Sequence, residues 1–318
     1  MKRIVVLGAA ESGVGAAVLA KKKGFDVFVS DMSKIKERYK ELLNEHEIVW
    51  EEERHTEELI LNADEVIKSP GIPDGVPIVR KIKERNIPII SEIEFAGRYT
   101  HAKMICITGS NGKTTTTSLI YHILKKAGYN VGLAGNIGNS LALQVAEQDF
   151  DYYVIELSSF QLDNMYTFRA DISMLLNITP DHLDRYDYEM QHYVDSKFRI
   201  LQNQTANDWF IYNADDETIV NEINKRKPEA KLAPFSIKAE IQEQGAFADE
   251  KQITININDP FTMSIHDLAL KGKHNTQNTL ASGLGARILD IRKDAVRESF
   301  SDFVNVEHRL EFVAKVHG

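Results

Sequence analysis

Residues 107–116 read Ile-Thr-Gly-Ser-Asn-Gly-Lys-Thr-Thr-Thr, types that suit the binding of a nucleotide's phosphates. Gly109 and Gly112 let backbone N–H groups turn toward an anion, and a helix opening behind them adds its partial positive charge. Lys113 has the reach for β- and γ-phosphates, and the Thr114 hydroxyl can ligate Mg²⁺. The eight-residue phosphate-loop pattern asks for glycine where Ile107 stands, so context has to decide. An apolar strand over 104–107 precedes the loop, and a helix over 114–126 follows with Leu119, Ile120, Ile123 and Leu124 on one face. A plain strand-to-helix turn with a capping Ser or Asn is the structural alternative.

Other residues with chemical potential fall at the ends of further apolar runs. Asn136, in Gly135-Asn136-Ile137-Gly138, can hydrogen-bond a polar substrate, although a simple loop is the default. Glu156 ends the run 152–156, where a carboxylate can hold Mg²⁺ opposite Thr114 or cap the following turn. His182 sits in Asn177-Ile178-Thr179-Pro180-Asp181-His182-Leu183-Asp184-Arg185-Tyr186, and an Asp-His pair is weak evidence for a metal ligand. Lys197 lies on an expected helix over 188–201, where most lysines are simply solvated. Near the N-terminus, Gly8 through Gly15 follow the first strand and Asp31 ends the second. The spacing misses the dinucleotide fingerprint, since Ala10 replaces its second glycine. What survives is physical: the amides of Ser12 and Gly13 at a helix start could hold a diphosphate, and Asp31 could accept from a base or sugar. Ser69-Pro70-Gly71 ends another strand on the same edge.

These residues require α/β elements to carry them. Strands are expected over 3–7, 26–30, 65–68 and 87–90, with helices over 14–22, 33–43 and 76–84 between them. A second α/β unit opens near Lys103, with strands over 104–107, 131–134, 152–156, 172–176 and 209–213. Short strands over 253–257 and 261–265 read as an antiparallel insertion before a helix starting near Asn275, and 310–316 reads as a last strand. The 318 residues suffice for two ordinary domains. A net charge of −9 argues against a general nucleic-acid or membrane-surface binder. No run approaches the roughly 20 apolar residues of a membrane helix, and the lone Cys106 reads as a core residue. A cytoplasmic monomer is the expectation.

Six segments, taken together and in order, resemble the Mur ligases of peptidoglycan synthesis. They are 108–115, 135–138, 156–162, 177–186, Gly272-Lys273-His274-Asn275-Thr276-Gln277-Asn278, and His308-Arg309. The Ser-Ser-Phe-Gln-Leu run after Glu156, with the Rossmann-like start, is similar to the branch that joins D-glutamate to UDP-N-acetylmuramoyl-L-alanine. The resemblance implies an α/β fold: a Rossmann-like UDP-substrate domain over 1–93, then a P-loop ATP-binding central domain over 94–305 with a small antiparallel β insertion. Residues 306–318 would begin a third domain, so the chain is expected to be truncated and inactive alone.

The same resemblance implies roles. Gly109, Ser110, Asn111, Gly112, Lys113, Thr114 and Thr115 would hold ATP, with Asn275 and Asn278 at adenine and Arg309 as a further nucleotide contact. Thr114 and Glu156 would bind a first Mg²⁺; His182 and Lys197 would serve a second, the lysine as its carbamate, because an ammonium cannot ligate a metal. Ser12, Gly13, Asp31, Ser69 and Gly71 would cradle the UDP end, and Asn136, Ser158 and Gln161 would orient the substrate. The chemistry would be ATP-dependent activation of a carboxylate as an acyl phosphate, then amide formation. A non-catalytic nucleotide-sugar and ATP module, another amino-acid-adding Mur ligase, and a P-loop kinase or ATPase are the alternatives.

Overall fold

A computed structural model describes residues 1–304. It packs as two compact units: one comprises Met1–Ala102, Leu133–Phe150 and Ser158–Phe168, and the other Lys103–Gly132, Asp151–Leu157 and the chain from Arg169.

In the first unit, strands β1 (Arg3–Leu7), β2 (Asp26–Ser30), β3 (Val49–Glu51), β4 (Glu65–Lys68) and β5 (Ile89–Ile90) form a parallel sheet in the order β3-β2-β1-β4-β5. Helices α1 (Glu11–Lys22), α2 (Glu37–Glu45), α3 (Glu57–Ile60), α4 (Pro77–Glu84) and α5 (Glu92–Gly97) alternate with them. Val5, Leu7, Phe28, Val66, Val79 and Ile82 fill one core cluster. Strand order reverses direction at β1 and β4, and ligands of open α/β sheets bind beyond the strand ends at such a point. The turns after these two strands nearly touch: a Cβ built on Gly8 would lie 2.5 Å from Ser69 Oγ.

Three expected elements are shorter than their hydrophobic patterns. The helix expected over 33–43 begins at Glu37, because Asp31 accepts from Ser33 N and Glu52 from Ile35 N, which holds the preceding residues in a turn. The fifth strand keeps only Ile89–Ile90, since Ile87 N completes the end of α4 by donating to Ile82 O and Pro88 has no N–H. The helix expected from Tyr188 starts at Met190, after Asp187 and Tyr188 take left-handed backbone.

Among the described residues the second sheet has nine strands in the order β14-β13-β12-β11-β10-β9-β6-β8-β7. Its central members are β6 (Lys103–Thr108), β7 (Val131–Gly135), β8 (Tyr152–Glu156), β9 (Ile172–Leu175), β10 (Trp209–Asn213) and β11 (Lys231–Ser236). Strand β6 lies parallel between β8 and β9, so the loops after all three leave one edge. The two strands expected as an antiparallel insertion are β13 (Gln252–Asn256) and β14 (Phe261–Ser264); an unexpected β12 (Gly245–Ala248) pairs antiparallel with β13 and parallel with β11. Helices α6 (Lys113–Lys126), α7 (Leu141–Glu147), α8 (Ser159–Leu162), α9 (Met190–Phe198), α10 (Glu217–Arg226), α11 (Lys273–Ile288) and α12 (Lys293–Asp302) complete the described chain. Cys106 is fully buried in β6, and burial pushes its thiol up. Among the described residues no helix is long and apolar enough to cross a membrane. The strand expected over 310–316 and Arg309 lie outside the described residues.

Candidate active site

In the second unit, the loop between β6 and α6 is tied by hydrogen bonds within itself and to the segment after β9. Gly112 precedes the helix with φ +83°, a conformation that favours glycine, and a Cβ there would meet Asn278 Oδ1 at 2.4 Å. Asn278 of α11 is thus packed against the loop, and its Nδ2 donates to Asn275 Oδ1 at 3.3 Å. Lys113 Nζ donates to the carbonyls of Gly109 and Ser110 at 2.9 and 3.0 Å. Burial holds its ammonium below the usual lysine range, against the opposing pull of Glu156 and Asp181.

The neighbouring strand ends complete the site. Thr114 Oγ1, on the first turn of α6, donates to Glu156 Oε2 at the end of β8 at 2.8 Å. Glu156 is 1% exposed. After β9, the Asn177 side chain pairs with the Asn111 backbone: Asn111 N donates to its Oδ1 at 2.8 Å, and its Nδ2 donates to Asn111 O at 3.0 Å. Ser110 Oγ donates to Thr179 O at 2.8 Å and accepts from Thr179 N at 2.9 Å. These bonds bring the segment carrying His182 to the phosphate loop. His182 itself is exposed, takes φ +50°, and places Nε2 3.7 Å from Asp181 Oδ2.

Lys197 departs from the solvated-helix expectation. It is 2% exposed, stacks its ammonium 4.7 Å from the Tyr193 ring centre, and donates to Gly109 O at 2.9 Å. Tyr193 OH lies 3.1 Å from Ser110 Oγ. The bracing roles of Asn177, Thr179 and Tyr193 were missed from sequence; the only signal was a polar residue directly after an apolar strand.

The donors present fit Mg²⁺. Thr114 and Glu156 supply hard oxygen atoms, and this ion takes one or two protein oxygens together with phosphates and water. Among the described residues no group of three or more His, Cys, Asp or Glu side chains is gathered so as to hold a metal ion. A groove of 1170 Å³ lined by Lys126, Tyr129, Arg292 and Arg297 lies at the far end of α6, roughly 20 Å along the helix from the phosphate loop, and belongs to different surroundings.

The first unit holds the remaining expected residues. Ser12 and Gly13 occupy the first turn of α1. Asp31 accepts from Ala9 N at 2.6 Å and from Ser33 N at 2.8 Å, so it fixes the turn while each oxygen keeps a lone pair. Ser69 is half-buried and Gly71 exposed beyond β4, and Asn136 is exposed on the loop after β7. Ser158 and Gln161 form a capping box on α8, Ser158 N donating to Gln161 Oε1 at 2.9 Å.

With this geometry in place, residues 107–286 match the family model described as the Mur ligase middle domain, and residues 3–76 match the MurD N-terminal domain. The chain is 64% identical over its whole length to UDP-N-acetylmuramoylalanine–D-glutamate ligase of Bacteroides thetaiotaomicron, of which it covers 71%. The chain belongs to the Mur ligase family.

A second relative, the enzyme of that name from Porphyromonas gingivalis, is 56% identical over 99% of the chain, which covers 70% of it. Solved Mur ligases share the fold at low identity. UDP-N-acetylmuramate:L-alanyl-gamma-D-glutamyl-meso-diaminopimelate ligase from Neisseria meningitides aligns with a TM-score of 0.67 at 20% identity, covering 96% of this chain and 99% of that one. UDP-N-acetylmuramate-alanine ligase from Thermotoga maritima aligns with a TM-score of 0.56 at 21% identity, covering 96% and 69%.

Proposed function

We propose that this Mur ligase chain serves the ATP-dependent addition of D-glutamate to UDP-N-acetylmuramoyl-L-alanine in peptidoglycan precursor synthesis. The observation that carries the reading is the Thr114–Glu156 pair beside Lys113, within a chain 64% identical to a D-glutamate ligase. Residues 1–93 hold the UDP end of the substrate through Ser12, Gly13, Asp31, Ser69 and Gly71. Residues 94–305 hold ATP, with Asn275 and Asn278 toward the adenine. Asn136, Ser158 and Gln161 orient the muramoyl-alanine end. The working protein is a cytoplasmic monomer.

The substrate carboxylate attacks the γ-phosphoryl group of ATP, ADP leaves, and the D-glutamate amine then displaces phosphate to form the amide. Mg²⁺, held by Thr114 and Glu156, neutralises phosphate charge when bound, and His182 with a carbamylated Lys197 would hold a second ion. For its part, Lys113 exchanges the carbonyls of Gly109 and Ser110 for phosphate oxygens at the start of α6, whose N-terminus adds its partial positive charge. Glu156 is positioned by the Thr114 hydroxyl rather than left to swing. Positioning and charge neutralisation are the main contributions a protein makes to phosphoryl transfer.

Calorimetric titration tests the substrate assignment. UDP-N-acetylmuramoyl-L-alanine should bind at least tenfold tighter than UDP-N-acetylmuramate, a difference of about 1.4 kcal/mol. Equal affinities, or a preference for the ligand lacking alanine, would point to a different amino-acid-adding ligase.

A further inference from the structure

The Asn136 loop is held by side chains that lie outside every motif discussed above. Gln144, on the first turns of α7 and 6% exposed, donates through Nε2 to Leu133 O at 2.8 Å and to Asn139 O at 3.3 Å. One amide therefore ties both ends of the loop together, alongside the backbone bridge between Ala134 and Asn139. Helix α7 is itself anchored. Ser140 Oγ accepts from Leu143 N at 3.1 Å and donates to Glu92 Oε1 at 2.7 Å; Ala142 N donates to that same oxygen at 2.6 Å.

Glu92 comes from α5 and is 4% exposed, and among the described residues no salt bridge pairs it with a cation. Burying a carboxyl in this way costs stability, and an apolar side chain of similar size would be the cheaper filler. On its other side Ser140 presses on α1: a Cβ built on Gly15 would lie 2.0 Å from Ser140 Oγ and 2.6 Å from its Cβ. Gly15 is two residues beyond Gly13 on the same helix. Glu92 and Ser140 thus join the helix that starts at the first glycine turn to the helix that closes the Asn136 loop.

We propose that Glu92 and Gln144 are positioning residues for substrate: Gln144 sets the shape of the Asn136 loop, and Glu92 fixes α7, and with it the loop, relative to the first turn of α1. The inference rests on the reading of Asn136 as a substrate contact. Its consequence is that the chain grips the UDP end and the muramoyl-alanine end of one ligand with two pieces that move as one body.

The test compares affinities for three probes by calorimetry: UDP, UDP-N-acetylmuramoyl-L-alanine and Mg²⁺-ATP. The informative quantity is the advantage of the muramoyl ligand over UDP. Asn136→Ala should cut this advantage about tenfold, as expected for the loss of one buried polar contact. Gln144→Leu and Glu92→Leu should do the same while leaving UDP and Mg²⁺-ATP affinities within about twofold of the parent. Glu92→Gln should restore the advantage, because an amide oxygen accepts from Ser140 Oγ and Ala142 N as the carboxyl does. If Asn136→Ala lowers the advantage and the Gln144 and Glu92 variants do not, the positioning role is wrong. It is equally wrong if those variants weaken all three probes together, the signature of general loosening. If Asn136→Ala changes nothing, the loop is no substrate contact, and that reading and the proposal fall together.

Discussion

The ammonium groups of Lys113 and Lys197 converge on one acceptor, the Gly109 carbonyl, each at 2.9 Å. Lys197 is buried beside Lys113. Addition of CO₂ to its amine would place an anion next to the Lys113 ammonium, where unlike charges attract. Protein equilibrated with ¹³C-bicarbonate should show a carbamate carbon resonance that Lys197→Ala lacks. A spectrum without that resonance in the parent protein would contradict the carbamate.

Gly112→Ala meets two obstacles. Its left-handed backbone costs a side-chain-bearing residue roughly 1–2 kcal/mol, and the new methyl would sit on Asn278 Oδ1. Mg²⁺-ATP affinity should fall tenfold or more, about 1.4 kcal/mol. Adding Asn278→Ala should recover part of the thermal stability, yet the double variant should bind Mg²⁺-ATP about tenfold more weakly than Asn278→Ala alone. Equal affinity of the double variant and Asn278→Ala would show that crowding, not backbone conformation, is what the loop requires.

Asn177→Ala removes both bonds to the Asn111 backbone. The expected cost is about 0.5–1.5 kcal/mol of stability, the net worth of a hydrogen bond on an exposed loop, together with weaker Mg²⁺-ATP binding. Unchanged denaturant midpoint and affinity would show the brace to be dispensable.

The parallel strands and their turns were readable from residue type. Arg3–Leu7, Asp26–Ser30, Glu65–Lys68, Tyr152–Glu156 and Trp209–Asn213 each carry consecutive apolar residues at their centre, with polar or charged residues only at the ends, a pattern that a sheet covered on both faces buries. The three-residue β3 and the four-residue α3 carry too few residues to show a period. The phosphate loop was legible because Gly, Lys and Thr are demanded locally, at fixed spacing, by an anion. Its braces were not, since Asn177 lies 66 residues from Asn111 and Gln144 is 11 from Leu133. A side chain whose work is to hold another segment's backbone leaves no periodic trace. Lys197 illustrates the same limit: helical spacing placed it on α9, but only the fold shows that it points into the interior.

Burial pushes the Glu92 carboxyl up to about 7 from its ordinary 4.5, against the lowering effect of the bonds from Ala142 N and Ser140 Oγ; the charge of Glu11 adds to the rise. The folded chain therefore keeps this proton when the unfolded chain has lost it. The contribution to stability is largest below about pH 4.5 and falls as pH rises toward 7, by roughly 3 kcal/mol in all. Glu92→Gln cannot ionise, so its stability relative to the parent should improve across that window. Parallel pH profiles of the two proteins would contradict the raised value.

The central claim is that one chain carries two separate ligand sites, a muramoyl-nucleotide site and a Mg²⁺-ATP site built on Thr114 and Glu156. Calorimetry on the parent, Asp31→Ala and Glu156→Gln tests it most directly. The parent should bind UDP-N-acetylmuramoyl-L-alanine and Mg²⁺-ATP saturably; Asp31→Ala should weaken only the first, and Glu156→Gln only the second, each about tenfold or more. No heat from the muramoyl ligand, with saturable binding of NAD in its place, would contradict the account.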